Sequence, residues 1–174
     1  EEDTQTATEE TESSEETTDK EEANADEADS DEEEAAESEA DEAELEAAIE
    51  VENDLRSEIV TYALQFVGNR YKYGGTNPNT GVDCSGFTSY VMRHAAEVEL
   101  PHSSGGQSRM GRQVSSSEMR PGDIICYGSG KRINHVALYI GNGQIVHAST
   151  ERTGIKVSRW NYRTPVRIVN VLGD

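Results

Sequence analysis

Three residues have the types and spacing to carry out covalent chemistry: Cys84, His135 and His147. A thiolate is the attacking form of cysteine, and such a nucleophile needs a base within hydrogen-bond reach and a third group to orient that base. Cys84 lies in DCSGF, ahead of a run in which Phe87, Val91 and Ala95 recur at four-residue spacing with Tyr90 beside them. That pattern predicts a buried amphipathic helix over 88–98, with Cys84 at or just before its N-terminus. Unpaired N–H groups and the helix dipole at that end favour the charged sulfur. Of the four histidines, His135 and His147 fall in two runs, 135–140 and 144–149, that read as neighbouring strands.

Strand register tests whether those two imidazoles meet. A two-residue loop at Asn142-Gly143 pairs Gly141 with Gln144, so His147 faces Leu138 and projects away from the side of His135. A three-residue loop over 141–143 sets His147 level with Ala137 and diagonal to His135 on one face. The other face then carries Val136, Leu138 and Ile140 against Ala148, Val146 and Gln144, which is nearly all apolar. A one-residue slip exchanges whole faces, so core burial favours the second register. The sequence therefore predicts a three-residue loop with Gly143 left-handed and a bulge beside it.

The elements that must hold these residues follow from composition and punctuation. Leu45, Ile49, Leu55, Ile59, Tyr62, Ala63 and Phe66 fall near helical spacing, predicting a helix over 57–67 with Ser57 as N-cap and Gly68 as stop; its extension back to Asp41 stays open. YKYGGTNPNTGV over 71–82 reads as a loop, and 100–119 as irregular Ser/Gly-rich chain. Arg120-Pro121-Gly122-Asp123 is a turn signal before a strand at 124–127, and a last strand spans 166–172. Helices followed by an antiparallel strand series indicate an α+β domain.

Charge divides the chain in two. The whole carries 35 Asp+Glu against 15 Lys+Arg, a net −20, but residues 1–50 hold 25 of the acids and a single base, Lys20. Every Tyr, Phe, Trp, Cys and Met comes later, so residues 1–50 read as a disordered acidic tail or tether and residues 51–174 as the folded domain. That domain carries +4, with scattered bases and no aromatic ladder, so nucleic acid is not an expected partner. No run of 18 or more apolar residues exists, so no membrane span is expected, and the chain is expected to be monomeric. Starting at Glu1 without a leader, it reads as a processed or truncated chain.

Other residues have plainer readings. His94 suits a helix C-terminus, where a cation meets the dipole. Cys126, in DIICY, suits core packing. A Cys84–Cys126 disulfide would consume the nucleophile. A Cys-His-His zinc site would lack a fourth ligand, so no metal or other cofactor is expected. Trp160 suits packing at the domain surface.

DCSGF at 83–87, HVALYIG at 135–141 and VHAS at 146–149, preceded by YKYGG at 71–75, resemble the NlpC family of cell-wall cysteine peptidases. The resemblance covers about residues 57–172 and implies a papain-like α+β fold, helices packed on an antiparallel sheet. It implies Cys84 as nucleophile, His135 as base and acid, and His147 as the residue that orients His135. Tyr71 matches a tyrosine bordering the nucleophile and a contributor to the oxyanion site. Asp83, Ser85 and Ser103 or Ser104 match positions that contact the peptide's free amine and carboxylate. His102 stands where the family often has Arg. The implied partner is a peptidoglycan stem peptide, cut between D-Glu and a diamino acid by a secreted or surface-held bacterial enzyme. An amidase or transferase of the same triad, or a non-catalytic wall-interaction module, are the alternatives.

Overall fold

A Glu- and Ala-rich stretch has high helix propensity and no internal breaker, so nothing stops a helix from running far upstream of its packed end. In the computed structural model, which describes the backbone of residues 30–174 and the side chains of residues 42–174, α1 spans Ser30–Leu64. The expected acidic tail lies in large part outside the described residues. Ser57 is thus an interior helical residue and not the expected N-cap. The helix also ends earlier, at Leu64, and the chain turns before Gly68, whose φ of +93° and hydrogen bond to Ile155 O mark the change of direction. Only the last turns find a core: Ile59 and Ala63 are fully buried, whereas Leu45 and Ile49 stay exposed. By contact, the chain falls into two units, Glu1–Glu42 and Ala43–Asp174.

Within the second unit, a short hairpin of β1 (Thr76–Asn77) and β2 (Gly81–Val82) occupies the stretch expected to be loop. It delivers the chain to α2, Cys84–Ala96, whose N-cap is Asp83; the Asp83 carboxylate accepts from Gly86 N at 2.8 Å. α2 therefore starts four residues earlier than the 88–98 expectation, because the cap sits at Asp83. Gly86 allows a close approach: a Cβ there would lie 2.2 Å from Gly75 O. A four-residue helix, α3 (Ser104–Gln107), interrupts the irregular stretch that follows.

Six antiparallel strands complete the domain: β3 (Arg112–Gln113), β4 (Ile124–Ser129), β5 (Arg132–Gly141), β6 (Gln144–Thr150), β7 (Gly154–Arg159) and β8 (Pro165–Asn170), in the order β3-β8-β4-β5-β6-β7. One face buries Ile124, Cys126, Val136, Leu138, Val146 and Val169 against Ile59, Phe87 and Val91 of the helices. The other holds Ile125, Tyr127, Ala137, Tyr139 and Ile145, with Trp160 packed against them as expected.

The β5–β6 turn corrects the sequence expectation. Gly141 pairs with Gln144, so the loop is the two residues Asn142 and Gly143, with φ of +53° and +70°. Asn-Gly with both residues left-handed makes the turn whose twist matches a hairpin. Yet Tyr139 pairs with Ile145 and Leu138 with Val146, the register expected for the sheet interior. A bulge at Ile140 takes up the extra residue, so the favoured turn and the buried face are both kept. His135 and His147 share a face by this route. A second bulge, at Asn134, turns Ile133 onto the helix-covered face.

Candidate functional site

Cys84 is the first residue of α2, half-buried beside the helix-covered face. The backbone N–H groups of Val136, Ser85 and Cys84 itself favour its thiolate, but burial is the larger influence and raises the thiol above its ordinary value. The expectation of a thiolate favoured by the helix end is thus outweighed by desolvation in the unliganded site. Cys126 is also free, fully buried, and pushed up to about 12 by desolvation. It has the packing environment its sequence context predicts.

His135 and His147 are both buried, and their rings meet: His135 Nε2 lies 2.7 Å from His147 Nδ1. His147 Nε2 in turn lies 2.9 Å from Ser158 Oγ on β7. Val136, whose N–H lies against the sulfur, is the residue after His135 in β5. No hydrogen bond joins the sulfur to either imidazole among the described residues; catalytic contacts of this kind commonly tighten only with substrate. Two proton arrangements satisfy the series. Where Ser158 accepts from His147 Nε2–H, His147 Nδ1 accepts from His135, and His135 Nδ1 keeps a lone pair. In the reverse arrangement that nitrogen carries the proton and cannot act as a base.

Burial lowers His135 to about 4, with Arg163 adding to the effect, and lowers His147 to about 3, with His135 and Lys156 adding. Both rings are therefore neutral at pH 7. In the unfolded chain each takes up a proton near 6.5, which the folded chain refuses until far lower pH. Their contribution to stability is complete above about 6.5 and is lost as the pH falls toward their folded values. The urea midpoint is expected to drop between pH 6.5 and pH 5; equal midpoints would contradict a neutral, buried pair.

Residues 68–168 match the NlpC/P60 family. The chain belongs to that family. Among similar proteins, the murein DD-endopeptidase MepS/murein LD-carboxypeptidase of Escherichia coli K12 is 41% identical over 108 residues, covering 62% of this chain and 56% of the relative. The probable endopeptidase p60 of Listeria seeligeri is 42% identical over 98 residues, 56% of this chain and 18% of that protein. The crystal structure of the NlpC/p60 domain of the peptidoglycan hydrolase SagA superposes with a TM-score of 0.61 at 32% identity, covering 66% of this chain and 97% of that one. The peptidoglycan hydrolase RipB of Mycobacterium tuberculosis gives 0.60 at 29% identity, covering 68% and 65%. The chain spans little more than half the length of MepS.

In this NlpC/P60 domain the other candidate residues cluster around Cys84. Tyr71 is bridged to Val82, and its hydroxyl is raised above the ordinary value by burial and, next, by the neighbouring Cys84 and Asp83 charges. Asp83 accepts from Gly74 N at 3.1 Å and from Ser85 Oγ at 3.4 Å, and its Oδ1 lies 2.8 Å from His102 Nε2. His102, read as surface or substrate contact, is thus joined to Asp83. Ser85 is buried, and the Ser103 hydroxyl accepts from Gly106 N as the cap of α3, while Ser104 opens that helix. His94 stacks on Tyr90 at the end of α2.

Several residues escaped the sequence reading. Buried Gln107 donates to Ser85 O, Ser89 Oγ and Pro101 O, tying α3 to the first turns of α2. Tyr162 packs on both Tyr127 and His147, and Arg163 lies over the Tyr127 ring. Ser158 was missed with its strand, although the alternation in GIKVSR was a signal. Among the described residues no three His, Cys, Asp or Glu side chains converge as a metal site, and no helix is long and apolar enough to cross a membrane.

Proposed function

We propose that the chain is a cysteine endopeptidase that hydrolyses peptidoglycan stem peptides, with Cys84 as nucleophile, His135 as base and acid, and His147 as the group that orients His135. The observation that carries this reading is the series Ser158–His147–His135, whose last member is followed in β5 by Val136, the residue whose N–H meets the sulfur of Cys84 at the start of α2. At rest the thiol and both imidazoles are neutral. As Cys84 Sγ attacks the amide carbonyl, its proton passes to His135 Nδ1, and the imidazolium is steadied by the Nε2–H bond to His147. The Cys84 N–H, at the first position of α2, and the Tyr71 hydroxyl stabilise the oxyanion. His135 then protonates the leaving amine. Water, deprotonated by the same ring, releases the acyl group and restores the thiol.

Asp83, Ser85, His102 and Ser103 or Ser104 form the wall that meets the charged end of the peptide in this proposal. Residues 51–174 act as the catalytic body, residues 1–50 as an acidic tether, and the site of action is the cell wall, reached by a secreted or surface-held monomer. The bond is the γ-D-glutamyl amide to meso-diaminopimelate or lysine. A second reading, cleavage of a D,D cross-link, is supported by the name of the 41%-identical E. coli relative. Mass spectrometry of products from defined stem peptides and cross-linked dimers separates the two, and also separates hydrolysis from transfer. Intact substrates throughout would leave the wall-interaction alternative and overturn the proposal.

Ser158 acts by setting the proton arrangement. Ser158→Ala is expected to lower kcat about fivefold, the scale of one hydrogen bond, with KM unchanged. An unaltered kcat would contradict that assignment.

A further inference from the structure

A groove of about 340 Å³ runs between the end of α3, β3, the β4–β5 turn and β8, lined by Ser108, Arg109, Gln113, Lys131, Ile133 and Arg167. Its three cations are unpaired: among the described residues none of Arg109, Lys131 and Arg167 has a carboxylate within salt-bridge distance. Arg167 Nε is moreover sealed from solvent with no hydrogen-bond partner. A buried donor without a protein partner costs free energy, and like charges lining one groove repel, so an anion bound there would be favoured.

The groove includes Ile133, two residues before His135 on β5. Arg167 pairs with Cys126, and Cys126 pairs with Val136, so the three side by side form one row across β8, β4 and β5 on the helix-covered face. Two strand spacings put Arg167 about 10 Å from Val136, whose N–H lies against the Cys84 sulfur. The bulge at Asn134 brings Ile133 onto the same face, where it lines the groove. Cys126 and Val136 are fully buried under the helices, so the row gives the separation and not the path; an extended peptide passing over Ile133 covers such a separation in about three residues.

Resting on the hydrolase reading above, we propose that this groove is an anion subsite that takes a free carboxylate of the wall peptide about three residues from the scissile carbonyl. Arginine matches a carboxylate in a forked, two-bond geometry, with the lysine adding charge. The subsite selects substrates by charge at a distance from the reacting bond, so it changes KM and leaves kcat alone.

The test uses the full chain carrying Cys84→Ala, titrated by calorimetry with two stem peptides that differ only in a free carboxylate or a carboxamide at that distal position. The acid is expected to bind about fivefold tighter, and Arg109→Gln/Lys131→Gln is expected to abolish the preference with the melting temperature unchanged. Arg167→Gln serves as a separate variant, because its buried stem also packs. Equal affinity for the two peptides, or no binding of either, overturns the subsite. So does a glycerol-phosphate polymer that binds the groove while the peptides do not. The two proposals fail differently: cleavage by the wild type without acid preference removes the subsite alone, and acid preference without cleavage removes the hydrolase reading alone.

Discussion

Replacing Cys84 by Ala is expected to lower stem-peptide cleavage by about 10⁴-fold or more while leaving peptide affinity within a few-fold, because residues of a nucleophile–base unit act together and binding does not depend on the sulfur. His135→Ala should approach the same residual rate, and the double variant should be little worse than either single one. Additive losses would mean that the two side chains do not share a step. The fold should survive Cys84→Ala, since the Asp83 cap that starts α2 is untouched and alanine is a good helix former. Comparable cleavage by wild type and Cys84→Ala would refute the nucleophile assignment outright.

The second large effect is on stability. Arg56, on α1 and 2% exposed, donates to Asp123 Oδ1 at 3.1 Å, to Pro121 O at 2.6 Å and to Asp174 Oδ1 at 2.6 Å. One guanidinium thereby ties α1 to the turn before β4 and to the C-terminus. Burial raises the Asp123 carboxyl, and Arg56 is the cation opposing that rise, while Asp174 is held well below the usual carboxylate range chiefly by Arg56 against its own desolvation. Arg56→Ala leaves Asp123 buried without its counter-charge, and the expected loss is about 3 kcal/mol in urea denaturation. The exposed Arg93–Glu99 pair is the internal control: its side chains are 54% and 70% exposed, and breaking it should leave the midpoint unchanged. A loss at Arg56 no larger than at Arg93 would show that α1 is not integral to the domain, which the match over 68–168 leaves open to experiment.

Cys84 and the two histidines were legible because the rules that place them are local. A cap residue, four-residue spacing and two-residue alternation each act within a few positions, and the apolar partners of Val136 and Val146 decide which face the imidazoles share. The turn was misread for a reason of the same kind carried one step too far. The register argument assigned the extra residue to the loop, whereas Asn-Gly prefers its two-residue turn and Ile140 absorbs the extra residue inside β5. Bulges are invisible to alternation because they repair it.

Other features depend on contacts between distant segments. Ser158 enters the site only because β7 lies beside β6, with Lys156 opposite His147. His102 reaches Asp83 because Gln107 pins α3 to α2, and no spacing rule connects residues 83, 102 and 107. The start of α1 was unreadable from Ser57, since a serine downstream of a Glu- and Ala-rich run caps nothing unless the chain upstream leaves the helix.

The central claim is an acyl-enzyme on Cys84, and rapid-quench intact-mass analysis of the full chain with a stem peptide tests it most directly. The account predicts a transient gain equal to the acyl fragment, located by digestion on the peptide that contains Cys84, forming before the released amine reaches its steady rate. Product formation with no such adduct, or with the adduct on another residue, would contradict it.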